Sequence, residues 1–287
     1  MHIIDSLMAV ADQCDAVVFD QWGVLHNGST PYPGAAEAIV ALAAAGKKLA
    51  VLSNSGKRAA PNRERIAAMG LPADLFDEVM TSGEAFWQDV HIGRVNPGRL
   101  FAITAKPGDE QRWGEGLSVE WTDNTDEADA VLLMGLPEGG DGVAERAQLD
   151  EALKQGLPLF CTNPDRGSPR ADGVVQLSPG ALAHAYQDSG VDVVFYGKPY
   201  RPVFDALAAA LCIAPSSILM VGDSLEHDVA GGAAAGWKTA FVTGGLHAEA
   251  FEHGDALATA AELAKEHQAP LPDFVIGRLA GERKNYG

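Results

Sequence analysis

The sequence predicts an α/β fold: a Rossmann-like, doubly wound parallel sheet core with an inserted α/β cap domain. Three observations predict it. Short apolar runs recur along the chain without strict alternation, Ala-rich stretches lie between them, and several of those stretches stop at a glycine. Strands covered by helices on both faces read as continuous apolar runs, and helices commonly end at a glycine in the C′ position. Strand and helix signals in alternation point to a mainly parallel sheet.

The elements follow in order. Ile3, Leu7, Val10, Ala11 and Cys14 stand at helical spacing, which predicts an amphipathic helix over 3–13. Residues 16–19 form the first buried-strand candidate, and 49–52, 130–134, 193–196, 218–221 and 240–242 repeat its character. The helical stretches are 35–45, 58–69, 143–155, 203–212 and 227–235, with Gly46, Gly70, Gly156 and Gly236 as the stops. Residues 84–190 differ in texture, with Trp87, Trp113, Trp121 and a Gly-rich turn at 138–142. That stretch carries its own strand–helix–strand signals at 100–105, 129–135, 143–155 and 158–162. A second α/β unit inserted into the first accounts for them. The expected division is a core of 1–83 plus 190–287 and a cap of 84–189, in keeping with about two domains of ~150 residues.

Composition narrows the function. The chain has 287 residues, 21 basic against 39 acidic, and a formal net charge of −18. Nucleic-acid binding is driven by cations that displace phosphate counterions, so a nucleic-acid partner is ruled down, as is an anionic membrane surface. A small anion would need a local positive trap, such as a metal ion. Cys14, Cys161 and Cys212 are far apart, odd in number and without a C-x-x-C spacing, which reads as reduced thiols. The N-terminus carries Asp5, Asp12 and Asp15 with no early Lys or Arg, unlike a secretory signal. The longest uncharged stretch, Ala206 to Gly222, is broken by Pro215, Ser216 and Ser217, so no membrane span is expected. The chain reads as cytoplasmic.

In a doubly wound sheet, ligands bind outside the carboxyl ends of the strands. The polar residues that follow the predicted strands are Asp20, then Ser53, Asn54 and Ser55, then Lys198, and last Asp223 with Glu226 and Asp228 close behind. Each alone has an ordinary structural reading, as a helix cap, a turn or a solvated charge. Converging on one sheet edge, they supply the carboxylates, hydroxyl and lysine of a metal-assisted phosphoryl-transfer site.

In this order and at these offsets, the four clusters resemble the four motifs of the haloacid dehalogenase (HAD) superfamily. The last of them is Gly222-Asp223 with Asp228, and finer details resemble the superfamily's class IIA, NagD-like phosphatase branch: Ser53-Asn54-Ser55, Thr162-Asn163-Pro164-Asp165, Pro179-Gly180 and Gly197-Lys198-Pro199. The resemblance implies a phosphatase-type hydrolase acting on a small phosphorylated metabolite, a sugar phosphate or similar. It implies that Asp20 attacks phosphorus and becomes an aspartyl-phosphate. It further implies Mg2+ held by Asp20, the backbone carbonyl of Trp22 and Asp223, with Asp228 in support. Ser53 and the Asn54 N–H would hold phosphoryl oxygens, with Ser55 in the same loop, and Lys198 would neutralise charge beside Asp20. Asn163, Asp165 and Arg170 stand where the family's cap reads the rest of the substrate, and a homodimer through the cap is the family's suggestion.

One position departs from the branch. The second Asp of its D-x-D-G motif, which moves the proton, is Trp22 here. Indole cannot transfer a proton, and such catalysis is worth ~10²–10⁴-fold. His26, His227 and Glu226 are the local candidates to replace it. The alternatives are substrates with good leaving groups, such as acyl phosphates, phosphotransfer instead of hydrolysis, or a catalytically weak module that binds Mg2+ and a phosphometabolite. An aromatic residue at this position also resembles true haloacid dehalogenases, but those enzymes lack the paired acids that Asp223 and Asp228 supply.

Overall fold

The apolar runs become strands. In the computed structural model, residues 1–169 and 175–279 are described. The strands are β1 (His2–Ile3), β2 (Ala16–Phe19), β3 (Lys48–Ser53), β4 (Glu78–Thr81), β5 (Arg99–Ile103), β6 (Glu120–Thr122) and β7 (Ala130–Leu133). They continue as β8 (Leu159–Cys161), β9 (Gly167–Pro169), β10 (Val175–Leu177), β11 (Val193–Phe195), β12 (Ile218–Gly222), β13 (Lys238–Val242) and β14 (Phe274–Ile276). Helices α1 (Ala35–Ala44), α2 (Ala59–Ala68), α3 (Ser82–His91), α4 (Asp109–Gly114) and α5 (Val143–Lys154) come first. After them come α6 (Pro179–Asp188), α7 (Arg201–Leu211), α8 (Ala230–Ala234) and α9 (Ala256–Glu266). All four glycines expected to stop helices have positive φ, between 67° and 86°.

The chain divides into two compact units, Met1–Ser53 with Ala60–Met80 and Phe204 onward, and Asn54–Ala59 with Thr81–Val203. The first holds a seven-stranded sheet in the order β1-β14-β13-β12-β2-β3-β4. The pairings from β1 through to β3 are all parallel. Strand β2 lies between β12 and β3, and Ala16, Val17, Val18 and Phe19 are fully buried. Burial on both faces explains why this run has no polar alternation. The register sets Phe19 beside Val221 on one side and Val51 on the other. Asp20, Asp223 and Ser53 therefore leave the sheet along its carboxyl edge, where the strand order reverses.

The second unit holds a parallel five-stranded sheet, β11-β8-β7-β5-β6, and an antiparallel β9–β10 pair. Its core gathers Val131 and Leu133 of β7, Leu149 of α5, Leu159 of β8 and Leu182 of α6. Beside it, Phe86 of α3 stacks on Trp113 at 5.1 Å and on Phe160 at 4.8 Å, and tilts against Tyr196 at 4.8 Å. The Trp113 indole N–H donates to the Gly83 carbonyl at 2.8 Å. Trp113 is thus a core residue, with 1% exposure.

Several expectations need correction. The helix expected over 3–13 is a two-residue strand, β1, followed by a 3₁₀ turn at Leu7–Gln13. Pairing of β1 with β14 wins because the edge of a parallel sheet offers hydrogen bonds that a short, Asp-rich helix cannot match. The run at 193–196 is a strand, but of the five-stranded sheet, where Phe195 pairs with Cys161. The inserted segment drawn at 84–189 compares with a compact unit running from 81 to 203 plus 54–59. The helix at 227–235 is a π-helical turn, Leu225–Val229, leading into α8. Among the described residues no helix is long and apolar enough to cross a membrane.

The aromatic stack gives a direct test. Phe86→Ala should cost ~3–5 kcal/mol of stability, the usual loss for a fully buried ring. Urea unfolding measures it, and a loss below about 1 kcal/mol would contradict the assigned packing.

Candidate active site

In the first unit the site grows from the ends of β2 and β12. The Asp20 N–H donates to the Val221 carbonyl at 2.9 Å, so the sheet ladder continues one residue beyond β2 and aims this carboxylate at the edge. Asp223 follows Gly222 directly, and Asp228 returns to the same place from the π-helical turn. One carboxylate oxygen from each of Asp20, Asp223 and Asp228 lies within 4.8 Å of the others. Asp223 and Asp228 are buried, at 3% and 1% exposure. Carboxylates this close repel one another, and burial takes from them part of the water that would screen the repulsion.

The backbone answers part of that cost. The Leu246 N–H donates to Asp223 Oδ2 at 2.7 Å, and the Ser224 N–H donates to Asp228 Oδ2 at 3.1 Å. Glycines let the chain come this near. Gly23 has φ +82°, and a Cβ there would fall on Asp223 Oδ2. A Cβ at Gly245 would strike the same oxygen, and one at Gly222 would strike the Asp228 carboxyl. Three carboxylates in a cradle tightened by glycines fit a cation, and an all-oxygen donor set suits a hard one such as Mg2+.

Trp22 lies half-buried in the tight loop between Asp20 and His26, which is closed by Leu25 N–H and His26 N–H donating to the Gln21 carbonyl at 2.8 and 3.1 Å. His26 is 1% exposed. Its Nδ1 accepts from the Gly28 N–H at 3.0 Å, and its Nε2 lies 3.4 Å from Gln21 Oε1. Arg65 donates to that same Oε1 at 2.8 Å. The ring is therefore the neutral Nε2–H tautomer, and burial, reinforced by Arg65, pulls its pKa down to about 4. Both nitrogens are committed to the loop, which argues against His26 as the replacement acid. His227 is half-buried, and its N–H donates to Ser224 Oγ at 3.1 Å. Glu226 is exposed.

Ser53 closes β3 and is buried. The second unit holds the other predicted residues. Asn54, 7% exposed, accepts from the Lys198 N–H through Oδ1 at 2.6 Å. Its Nδ2 donates to Asp165 Oδ1 at 2.6 Å and to the Lys198 carbonyl at 3.1 Å. Lys198 is buried, with 3% exposure. Asn163 Oδ1 accepts from the Asp165 N–H at 3.1 Å, the short Asx turn that Asn-Pro-Asp predicts. Ser55 is half-buried, and its Oγ accepts from the Lys57 N–H at 3.3 Å. Arg170 lies outside the described residues. Sequence reasoning missed the Gln21–Arg65–His26 network, the Leu246 N–H and the Asn54–Asp165 pair. The paired glycines at 244–245, straight after a predicted strand, were the available signal for the second of these.

A haloacid dehalogenase-like hydrolase model matches residues 17–112, and a HAD-hydrolase-like model matches residues 195–280. Human chronophin is 31% identical over 265 residues, covering 84% of this chain and 85% of that protein. The chain belongs to the haloacid dehalogenase-like hydrolases. It falls in their class IIA, NagD-like phosphatase branch. Human glycerol-3-phosphate phosphatase is 28% identical over 301 residues, covering 95% of this chain and 91% of that protein. A haloacid dehalogenase-like hydrolase from Brucella suis 1330 superposes with a TM-score of 0.80 at 28% identity, over 96% of this chain and 100% of that one.

Two measurements check this HAD-type site. Gly23→Ala should weaken Mg2+ binding at least about tenfold, because the added methyl displaces Asp223; unchanged affinity by calorimetric titration would remove the cradle argument. The second concerns His26, whose value is near 6.5 in the unfolded chain and about 4 in the folded one. Between those pH values the unfolded chain binds a proton that the folded chain refuses, so stability falls as pH drops through the window. His26→Gln should shrink the stability loss between pH 7 and pH 5 by roughly 2 kcal/mol, read from denaturant unfolding at the two pH values.

Proposed function

We infer that this HAD phosphatase is Mg2+-dependent and acts on a small phosphorylated metabolite, a sugar phosphate or a glycerol phosphate-like ester, through an aspartyl-phosphate on Asp20. The observation that carries the reading is the cluster of Asp20, Asp223 and Asp228 at the carboxyl edge of the central strands. The name of the glycerol-3-phosphate phosphatase relative supports the substrate class.

Asp20, Asp223, Asp228 and the Trp22 carbonyl would hold the cation. When bound, it offsets the negative charge of carboxylates and phosphoryl oxygens, which lets a −18 chain accept a phosphate. An Asp20 oxygen attacks phosphorus; the O–P bond forms as the bond to the leaving oxygen breaks. Ser53 Oγ and the Asn54 N–H orient the phosphoryl oxygens, and the Lys198 ammonium balances their charge. Water then attacks phosphorus, releasing phosphate and restoring Asp20. Asn163 and Asp165 belong to the loop that reads the remainder of the substrate.

The proton on the leaving oxygen is the weak point. Trp22 has none to give, and the His26 ring is committed to its loop. That leaves His227 as the histidine for the role. A second reading is favoured by Trp22: substrates whose leaving group departs unprotonated, such as acyl or aryl phosphates, escape the ~10²–10⁴-fold penalty of the missing acid.

A Mg2+-dependent assay over alkyl, aryl and acyl phosphates decides among these. Asp20→Asn should abolish turnover on every ester, and intact turnover would sink the nucleophile assignment. Trp22→Asp should raise the alkyl-ester rate by about a hundredfold or more. Tight phosphate binding with no turnover on any ester would turn the reading toward a binding protein, and halide release from haloacids in EDTA would turn it toward a dehalogenase.

A further inference from the structure

The amide of Asn54 has more partners than a residue serving only through its backbone N–H requires. Its orientation is fixed by chemistry. The Lys198 N–H can only donate, so the atom facing it is Oδ1; the Asp165 carboxylate accepts, so the atom facing it is Nδ2. A single side chain thus spans two segments that lie 111 and 144 residues away in sequence. Both segments are closely packed. A Cβ at Gly197 would collide with the Pro164 ring and with Asn54 Oδ1, and a Cβ at Gly180 would collide with the Pro164 carbonyl. Lys198, buried and bonded through both its N–H and its carbonyl to this one amide, takes its backbone position from Asn54.

We propose that the Asn54 side chain is a positioning residue for catalysis, which sets Lys198 by locking it to the Asp165 loop. This rests on the reading of Lys198 as the charge-balancing group. Asp165 then serves as the anchor of that lock as well as a member of the substrate-reading loop. Loss of the lock leaves Lys198 in the protein but no longer held for the transition state, so kcat falls while KM changes little.

Steady-state kinetics of the Mg2+-loaded protein on p-nitrophenyl phosphate, whose leaving group needs no acid, provide the test. Lys198→Met should lose about a hundredfold in kcat or more; if activity survives, the reading of Lys198 fails and the proposal falls with it. Asn54→Asp sets two carboxylates face to face and should lower kcat at least about tenfold. Adding Asp165→Asn restores the hydrogen bond between positions 54 and 165 in reversed order, though not the bond to the Lys198 carbonyl, and should bring kcat at least about threefold back toward that of Asp165→Asn alone. Asn54→Asp with Asp165→Ala matches the charge of that exchange but offers no donor, and should stay impaired. Equal recovery in both double variants would reduce the effect to charge, and no recovery in the exchange would overturn the lock; with Lys198→Met inactive, either result leaves the reading of Lys198 standing. Thermal unfolding accompanies each variant. If Asn54→Asp does not fold, Asn54→Ala replaces it: a fall in kcat with KM within about threefold supports the lock, and kcat retained overturns it.

Discussion

Three carboxylates crowd one edge of a parallel sheet, and the cost of holding them there shapes the first unit. At an effective dielectric of ~20, two unit charges 4.8 Å apart repel by roughly 3–4 kcal/mol, a large fraction of the stability of a typical domain, and these carboxylate oxygens lie within that distance. Hydrophobic burial of β2 and β12 supplies the rigid strand ends from which Asp20 and Asp223 project. The Leu246 and Ser224 N–H groups then return part of the solvation that Asp223 and Asp228 lose. In the proposed mechanism the remaining charge draws a cation, and an acidic chain could thereby handle a phosphate, because the positive charge it needs would be recruited locally instead of spread over the surface.

That constraint also explains where the glycines fall. Backbone N–H groups reach a carboxylate only if the chain passes within van der Waals contact of it, and Gly23, Gly222 and Gly245 each leave no space for a Cβ. The approaches come from three separate places: the loop after β2, the last residue of β12 and the loop after β13. The acids and the glycines form one device: the acids need short donors, and the donors need a bare backbone. Asp20 differs from its two companions in being half-buried, which suits the proposed role of meeting a phosphoryl group.

Much of this was legible in the sequence because buried parallel strands announce themselves. Residues 16–19 and 218–221 are apolar throughout, and the acidic residues that come next, Asp20 and Asp223, are the ones that meet in the carboxylate cluster. Ser53 was found the same way. Short elements stayed hidden: β1, β6 and β14 have two or three residues each, and strands of that length exist only through their neighbours. The run at 193–196 was read correctly as a strand but assigned to the wrong sheet, since an apolar tripeptide does not specify its partner. The Asn54–Asp165 contact was invisible for a related reason. No local pattern connects residues 111 positions apart, and each looked complete as a turn residue on its own.

Trp22 shows how binding and proton transfer can come apart within one loop. In the proposed mechanism position 22 gives the cation a backbone carbonyl, which any residue supplies, and its side chain is then free of that duty. An aspartate there would spend the side chain on the proton. A tryptophan spends it on packing, with its indole lying against Gly28 in a loop closed by His26 and Gln21. The exchange removes a charge from an already crowded anionic centre, which lowers the repulsion that the three remaining aspartates must bear. It also moves the demand for a proton onto the substrate. In the second reading a leaving group of low pKa replaces the general acid, and the selectivity of such a site would then be set by the chemistry of the bond being broken as well as by the shape of what carries it.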